Sequence, residues 1–256
     1  MAHKALQKAP FCLSLHVRFT GWRRIPLRLR GAILPSCVVG YQSAKLQADG
    51  LTVGACFIPV QGATFDLTEL KVTGYDEATE GDVQIQTLDK YGRTVDTFFY
   101  YDVPGDLTGW LDSSDAEIEK GTVTFQAGEG LWSISAIGNL GLQSSGQVSS
   151  SGVAVTLQAD GFSVANPTPL DVDLTKTFIS GYEEATEGDV QVQTLDEYGR
   201  TVDTFFYYDV PGELTGWLDS GDNEVEEGAV VVKPGQGLWT ISSADGFTFV
   251  FPGVVL

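Results

Sequence analysis

Residues 74–115 read GYDEATEGDVQIQTLDKYGRTVDTFFYYDVPGDLTGWLDSSD, and residues 181–222 read GYEEATEGDVQVQTLDEYGRTVDTFFYYDVPGELTGWLDSGD. The two stretches lie 107 residues apart, and about three-quarters of positions 74–135 match at this offset. A shorter phrase, LQADG, occurs at residues 46–50 and again at residues 157–161. A unit of this length can enclose its own hydrophobic core, so the sequence predicts two tandem domains rather than a solenoid.

The duplication divides the chain of 256 residues into segments. We predict a basic leader at residues 1–37, a first β-domain at residues 38–148 and a second β-domain at residues 153–256. The polar stretch SSSG at residues 149–152 separates the two domains and is typical of a linker.

Alternation of apolar and polar residues indicates β-strands in both copies. In the second copy, residues 189–195 read DVQVQTL, which directs Val190 and Val192 to a core and the glutamines to water. Residues 201–208 follow after a bend that contains Gly199, as in a β-hairpin. The sequence therefore predicts an all-β fold of two tandem antiparallel β-sandwich domains, with a small β-barrel or jelly-roll-like domain as the alternative.

The formal net charge of −19 is unevenly distributed along the chain. Residues 1–37 contain seven of the 15 basic residues and none of the 34 acidic residues. Residues 38–256 therefore carry eight basic against 34 acidic side chains, a net charge of −26. Such a surface repels phosphate backbones, because nucleic-acid binding depends on Lys and Arg. We therefore exclude nucleic acid as a partner of the two domains.

Cysteine and histidine usage limits the chemistry further. The second copy has no cysteine, whereas Cys12, Cys37 and Cys56 precede it, so the fold does not depend on a disulfide. Both histidines, His3 and His16, lie in the leader. The two domains therefore lack the histidine of Ser-His-Asp and Cys-His catalysis and of His-ligated metal sites.

The leader is a poor match to a secretion signal. Arginines at positions 18, 23, 24, 28 and 30 interrupt every apolar run, whereas a signal peptide needs about 7–15 uninterrupted apolar residues. Three interpretations stay open: a wrongly assigned start, a degenerate targeting segment, and a basic arm that binds anionic lipid or the acidic surface of another copy of the protein. No apolar stretch reaches the roughly 18 residues of a transmembrane helix, so we expect none.

Two acidic loops offer hard oxygen ligands for a cation. The six acidic residues in these loops are Asp112, Asp115, Glu117, Asp219, Asp222 and Glu224. Calcium binds through such oxygens, but neither loop has the spacing of the D-x-[DN]-x-[DN]-G motif. We treat calcium as a candidate cofactor and favour solvated turns, because Asx-rich turns are common on protein surfaces.

An aromatic run, FFYY, occurs at residues 98–101 and 205–208. Alternation in a strand directs half of these rings to each face, so at least two rings per copy are expected outside the main core. Such rings, beside the tryptophans that follow, can stack on sugars. The candidate ligand-binding residues are Tyr100, Tyr101, Trp110, Tyr207, Tyr208 and Trp217. The alternative is that both faces of the strand are covered.

Two further tryptophans, Trp132 and Trp239, lie in a Gly-Leu-Trp phrase and are predicted to anchor the closing strand against the core. No residue pattern marks a catalytic site. Paired carboxylates for glycoside hydrolysis need a cleft and a defined separation, and nothing distinguishes one pair among 34 acidic residues. We predict that the protein is not an enzyme.

Four short phrases follow one another along the chain: VVGY at residues 38–41, LQADGF running into ANP at residues 157–167, GW at residues 216–217 and PGQGLW at residues 234–239. Together they resemble a group of uncharacterised secreted bacterial proteins, which share N-V-V-G-Y, L-x-A-G-F-S-L-I-A-N-P and P-G-E-G-F-W. The first copy departs from this pattern, with GACFIP at residues 54–59 and AGEG at residues 127–130.

The resemblance implies a tandem β-repeat fold and a location outside the cell, and it transfers no catalytic residues. In the group, N-V-V-G-Y begins the mature protein, so the mature chain is expected to begin near Val38. We predict a non-catalytic secreted or cell-surface structural or interaction protein, in which repetition adds valency. Its expected partner is a protein or a glycan at the cell surface. The alternative is a carbohydrate-binding module that uses exposed Tyr and Trp residues, and a glycan-active enzyme is a remote third.

Overall fold

A computed structural model describes residues 39–46, 50–53, 64–74, 79–103, 105, 107–147, 149–181, 186–196, 198–210, 212 and 214–253. The predicted leader, the three cysteines and both histidines lie outside these residues. Strands dominate the described residues, whose helical elements are two 3₁₀ turns, Leu67–Glu69 and Leu174–Lys176. The prediction of an all-β fold is therefore confirmed. The same residues contain no helix of the length and apolar character that crossing a membrane requires.

Both repeats contain the same succession of strands among the described residues. In the first repeat they are β1 (Val39–Lys45), β2 (Gly50–Val53), β3 (Thr64–Asp66), β4 (Lys71–Thr73), β5 (Thr79–Leu88), β6 (Thr94–Val103), β7 (Leu107–Leu111), β8 (Thr124–Gln126), β9 (Trp132–Ser135) and β10 (Gly141–Gln147). In the second they are β11 (Val153–Thr156), β12 (Phe162–Ala165), β13 (Val172–Asp173), β14 (Phe178–Ser180), β15 (Thr186–Leu195), β16 (Thr201–Val210), β17 (Leu214–Asp219), β18 (Val231–Val232), β19 (Gly237–Ser242) and β20 (Thr248–Phe251).

The strands form the same antiparallel sheets in each repeat. The first repeat has a five-stranded sheet in the order β2-β9-β5-β6-β7, a three-stranded sheet β1-β10-β4 and a two-stranded pair β3-β8. The second repeat has the equivalent sheets β12-β19-β15-β16-β17, β11-β20-β14 and β13-β18. These sheets stay separate among the described residues and pack across a core, which is the arrangement of a sandwich.

Each repeat has its own hydrophobic core. In the first, Val83 and Ile85 of the five-stranded sheet share a core with Leu142 of the three-stranded sheet. In the second, Val190 and Val192 share a core with residues of β20 and other strands. The alternation predicted for residues 189–195 is confirmed, because both valines are fully buried. Each repeat therefore encloses its own apolar side chains, as an independent domain does.

The longest hairpin of each repeat is closed by an aspartate turn. Between β5 and β6, one carboxylate oxygen of Asp89 accepts hydrogen bonds from the backbone amides of Tyr91 and Arg93, each at 2.9 Å. Gly92 occupies the left-handed region at φ +74, which suits a residue without a side chain. Hydrogen bonds from Arg93 hold the pKa of Asp89 below its ordinary value. Asp196 and Arg200 repeat this turn between β15 and β16.

Candidate functional site: the outer sheet faces and the junction between repeats

Four of the six predicted ligand-binding aromatic residues lie in the cores. Tyr100 and Trp110 are 7% and 2% exposed, and Tyr207 and Trp217 are each 2% exposed. Each tyrosine meets its tryptophan edge-on, at 5.2 Å in the first repeat and 5.0 Å in the second. The expectation that these four rings stack on sugars was therefore wrong, because their strands direct them between the sheets.

The tryptophan nitrogens are occupied inside the core as well. Trp110 Nε1 donates to the Leu70 carbonyl at 3.1 Å, and Trp217 Nε1 donates to Thr177 Oγ1 at 3.1 Å. A buried indole N–H needs such an acceptor, so the two tryptophans join the five-stranded sheet to the loop that follows each 3₁₀ turn. Their role is structural.

Tyr101 and Tyr208 lie on the opposite face of their strands and are half-buried. Tyr101 follows the core residue Tyr100 in β6, and successive side chains of a strand point to opposite faces. These two residues are the part of the predicted aromatic site that remains accessible from outside the core.

The acidic loops use their first carboxylates to close turns. One oxygen of Asp112 accepts hydrogen bonds from the Ser114 amide at 2.8 Å, the Ser114 hydroxyl at 2.7 Å and the Ala116 amide at 3.0 Å. These bonds, that of the Ser114 side chain foremost, hold the pKa of Asp112 below its ordinary value. Asp219 accepts equivalent bonds from the Gly221 and Asn223 amides. Both loops are therefore Asx turns.

The other acidic residues of these loops are exposed and are not gathered around a common point. Asp115 and Asp222 occupy the left-handed region at φ 61 and φ 60, at the tips of the turns. Glu117 and Glu224 pair through their backbones with the ends of β7 and β17. No group of three acidic, His or Cys side chains placed to hold a metal occurs among the described residues. The geometry therefore gives the calcium hypothesis no support.

The side of each five-stranded sheet that faces away from the core has a regular composition. In the first repeat one row crosses four strands, in which Ile134 pairs with Gln84, Gln84 with Phe99, and Phe99 with Leu111. A second row pairs Trp132 with Gln86 and Gln86 with Thr97, while Tyr101 lies opposite Gly109. We call this set the outer face; its members are Gln84, Gln86, Thr97, Phe99, Tyr101, Gly109, Leu111, Trp132 and Ile134.

The second repeat has an outer face of identical composition. Its members are Gln191, Gln193, Thr204, Phe206, Tyr208, Gly216, Leu218, Trp239 and Ile241, in the same pairing. Across the four strands that carry this face the repeats differ at two positions, Ile85/Val192 and Ser133/Thr240. All four of these residues are buried on the core side. Surface positions ordinarily tolerate substitution better than core positions. Unconstrained substitution would therefore have changed the outer face more than the core side, and the opposite is found.

The two repeats meet where residues 128–130 add to the edge of a sheet. β12 is the edge strand of the second repeat's five-stranded sheet, and Glu129 forms a bridge with Val164 on its free side. The Gly130 amide donates to the Ser163 carbonyl at 2.9 Å, and the Ala165 amide donates to the Gly128 carbonyl at 2.8 Å. The first repeat therefore covers an edge that would otherwise be open to pairing with another chain.

Side chains extend this junction on both sides of the bridge. The Gln126 amide group pairs with the Thr156 backbone through two 3.0 Å hydrogen bonds. Trp132 Nε1 donates to Ser163 Oγ at 2.8 Å. Lys90 lies 2.6 Å from a carboxylate oxygen of Asp160, although both side chains are about half exposed, so solvent screens the pair and it contributes little to stability.

Two glycines of the first repeat allow this close approach. A Cβ atom on Gly128 would lie 2.5 Å from Val155 Cγ2, and one on Gly130 would lie 2.9 Å from Ser163 Cβ. Any side chain at these positions would therefore push the repeats apart. The sequence AGEG at residues 127–130 is the segment that makes the junction.

The second repeat does not offer the same surface. Its residues at the equivalent junction positions are Glu197 for Lys90, Lys233 for Gln126, Pro234 for Ala127 and Gln236 for Glu129. A lysine cannot accept the hydrogen bond that Gln126 accepts, and a glutamate in place of Lys90 would repel an aspartate. The contact is thus specialised for joining the first repeat to the second.

A small cavity of about 30 Å³ lies inside the junction, between Thr87, Glu129, Trp132, Ser163 and Trp239. This volume is sufficient for about two water molecules and for nothing larger. Burial raises the pKa of the Glu129 carboxyl. This carboxyl accepts a hydrogen bond from the backbone amide of Gln126 at 3.0 Å. The cavity is therefore a feature of the joint and not a substrate pocket.

Sequence reasoning missed the role of Trp132 and Trp239. Both were expected in the core, but the adjacent Leu131 and Leu238 occupy it and the indoles turn to the outer face. There they meet edge-on across the junction, with 6.3 Å between ring centroids. The phrase Gly-Leu-Trp does not reveal whether its leucine or its tryptophan faces the core. The contact between the two indoles becomes visible only when the two repeats are placed side by side in the structure.

Comparison of the chain with protein-family models, curated proteins and solved structures found no match.

Proposed function

We propose that this protein is a non-catalytic structural or interaction protein of the cell surface or extracellular space, whose two β-domains act as one rigid unit. One observation carries the proposal: the two outer faces are identical in composition and are joined through the contact between Trp132 and Trp239. Duplication of a recognition surface adds avidity when both copies can engage together, whereas duplication adds little to a catalytic site.

The junction supports this proposal because it fixes one face relative to the other. It combines the backbone bridge at Glu129 and Val164, the hydrogen bonds of Gln126, and the tryptophan pair. A flexible linker alone would leave the effective concentration of the second face dependent on linker length. A fixed joint removes that entropic cost from the second binding event.

Burial of the core aromatics changes the residues on which a carbohydrate-binding module would depend. A sugar cannot contact the four buried rings, which are those of Tyr100, Trp110, Tyr207 and Trp217. It could contact the outer face, which includes two residues of the predicted set, Tyr101 and Tyr208. A carbohydrate-binding module would therefore use the outer faces and not the core aromatic residues.

Fractionation of the cells that naturally produce the protein tests the proposed location. We expect the protein in the medium or in a surface wash, with a mature N-terminus near Val38 by intact mass. Recovery from the cytosol with the leader attached would contradict the proposal. A second measurement, co-sedimentation of the purified protein with intact cells of the same source, tests interaction: we expect saturable binding, and no binding above a bovine albumin control would contradict it.

A further inference from the structure

The chemistry of the outer face differs from that of the rest of the protein. Residues 38–256 carry a net charge of −26, yet none of the nine members of either outer face is charged. Within the five-stranded sheets, acidic residues pair with the face at one end, where Glu80 lies opposite Tyr101 and Glu187 lies opposite Tyr208. The acidic residues of β6 are Asp96 and Asp102. Because side chains alternate along a strand, both lie on the same side of β6 as the core residues Phe98 and Tyr100, opposite to the outer face. The central part of each outer face, around its two glutamines, is therefore uncharged although the body is acidic, and this suits an uncharged partner.

The face combines amide groups with rings. Gln84 and Gln86 lie between the aromatic and aliphatic residues of β6 and β9. The Gln84 amide and the Tyr101 hydroxyl form no side-chain hydrogen bond with any other described residue, and the same holds for Gln191 and Tyr208. An amide offers both a donor and an acceptor, which matches the hydroxyl groups of a sugar, while a ring packs against its C–H surface.

Gly109 opens a space beside Tyr101. A Cβ atom on Gly109 would have no atom within 4 Å, so packing does not require a glycine there. Its backbone is not in the left-handed region either, so no conformational reason demands glycine. A glycine within a strand weakens the strand and often marks a place where a ligand approaches closely. The same residue occurs at this position in the second repeat, as Gly216.

From these observations we infer that the outer face of each repeat binds a neutral polysaccharide, and that one chain of it extends over both faces. The first row of each face, from Ile134 to Leu111 or from Ile241 to Leu218, spans roughly 14 Å across four strands. Trp132 and Trp239 belong to the two faces and touch, so the faces adjoin at the junction. The inference rests on the proposed function and names the chemistry of its partner.

An anionic partner is disfavoured by the charge of the domains. Nucleic acid, uronic-acid polymers and sulfated glycans would each be repelled by a body of −26. A protein partner would be expected to meet a more apolar centre, often with Arg or Met, whereas two glutamines lie in the middle of this face. Neutral sugar is the partner that both the charge and the side-chain types favour.

Calorimetric titration of the full chain with trisaccharides tests the inference. The probes are trisaccharides of β-linked glucose, xylose, mannose and N-acetylglucosamine, with trigalacturonate as the acidic comparator. We expect at least one neutral trisaccharide to bind at two sites per chain, and trigalacturonate not to bind. Gly109→Val fills the space beside Tyr101 without removing any contact, so we expect it to reduce the stoichiometry from two to one while the melting temperature is unchanged or raised.

Three further variants separate the face from the rest of the molecule. Tyr101→Ala combined with Tyr208→Ala should weaken trisaccharide binding at least tenfold. Tyr198→Ala removes an exposed tyrosine at the tip of the same hairpin as Tyr208 and should leave binding unchanged. Thr124→Val, which installs the residue of the second repeat at an exposed strand outside the outer face, controls for Gly109→Val.

The polymer from which the binding trisaccharide derives tests whether the two faces act together. It should bind at least a hundredfold more tightly than the trisaccharide, and Tyr208→Ala alone should abolish that gain. Absence of binding by every neutral probe at millimolar concentration would overturn the inference, as would retention of two sites in Gly109→Val or an equal loss in Tyr198→Ala. These failures are distinguishable from failure of the proposed function, because surface location and cell co-sedimentation do not require sugar.

Discussion

The indole ring of Trp132 meets that of Trp239 edge-on, with 6.3 Å between ring centroids and 84° between ring planes. The two residues occupy the same position in the two repeats, but their other contacts differ. Trp132 donates its Nε1 hydrogen bond to Ser163 Oγ, whereas Trp239 packs beside Gly161, where a side chain could not fit. A pair of equivalent residues is thus the centre of a junction whose two sides are not equivalent.

Removal of Trp132 should uncouple the repeats. Trp132→Ala deletes the edge-on pair and the hydrogen bond to Ser163, and we expect the free energy of unfolding to fall by about 2–3 kcal/mol. Scanning calorimetry should show one cooperative transition for the native chain and two for the variant. Ile137→Ala, an exposed residue just after β9, is the control and should keep one transition. An unchanged single transition in Trp132→Ala would show that the indole pair does not couple the repeats.

Substitution of Gly128 separates crowding at the junction from backbone strain. Gly128 and Gly121 have similar left-handed φ values, +81 and +88, but a Cβ on Gly121 meets no atom within 4 Å. Gly121→Ala should cost about 1–2 kcal/mol from strain alone. Gly128→Ala should cost about 1–3 kcal/mol more, because Val155 is too close. Urea unfolding measures both, and equal losses in the two variants would contradict the described contact.

The Glu129 carboxyl should make the junction sensitive to pH. Burial raises its pKa above the ordinary 4.5, so the carboxyl takes up its proton at a higher pH in the folded chain than in the unfolded chain. The stability from this group is therefore fully present below pH 4.5 and is lost as the pH rises through the raised pKa. Glu129→Gln introduces the residue of the second repeat, where the Gln236 side chain accepts the equivalent amide hydrogen bond from Lys233.

We therefore expect Glu129→Gln to melt at a higher temperature than the native chain near pH 7, with the difference shrinking as the pH falls toward 4.5. Melting curves at several pH values measure this difference. Glu119→Gln, an exposed residue of the preceding loop, serves as the control and should show no such trend. A native chain that is more stable than Glu129→Gln at neutral pH would contradict the assignment of a desolvated carboxyl.

Neighbouring aromatic residues of the first repeat should differ sharply in their effect on stability. Trp110→Ala removes a buried indole that bonds to Leu70 and should cost about 3–5 kcal/mol. Tyr101→Ala removes a half-buried ring of the outer face and should cost about 1–2 kcal/mol. Chemical denaturation of both variants provides the comparison. A larger loss for Tyr101→Ala would mean that the assignment of core and outer sides is reversed.

The fold was predictable where one residue type fixed the side of a strand. In residues 189–195, valines alternate with glutamines, so the burial of Val190 and Val192 followed directly. The FFYY run was ambiguous because all four residues can occupy either side. Alternation correctly placed half of the rings outside the core, but only the paired strands show that Tyr207 points inward and Tyr208 outward.

The junction could not be predicted from one repeat. Its hydrogen bonds join the backbones of residues 128–130 and 163–165, and backbone groups leave no mark on residue type. The signal that was present lay in the differences between repeats, at Lys90, Gln126 and Glu129 and their counterparts. From the sequence alone, these differences cannot be distinguished from random substitution at the surface. The structure shows that they coincide with the contact between the two repeats.

Amide hydrogen exchange at Ala165 and Gly130 tests most directly whether the two repeats form one rigid unit. Both amides donate hydrogen bonds across the junction, to Gly128 and Ser163. We predict that they exchange as slowly as amides of central strands such as Val192, because opening them requires the repeats to separate. Exchange at the rate of an unprotected backbone at these two positions, with Val192 still protected, would show that the repeats move independently.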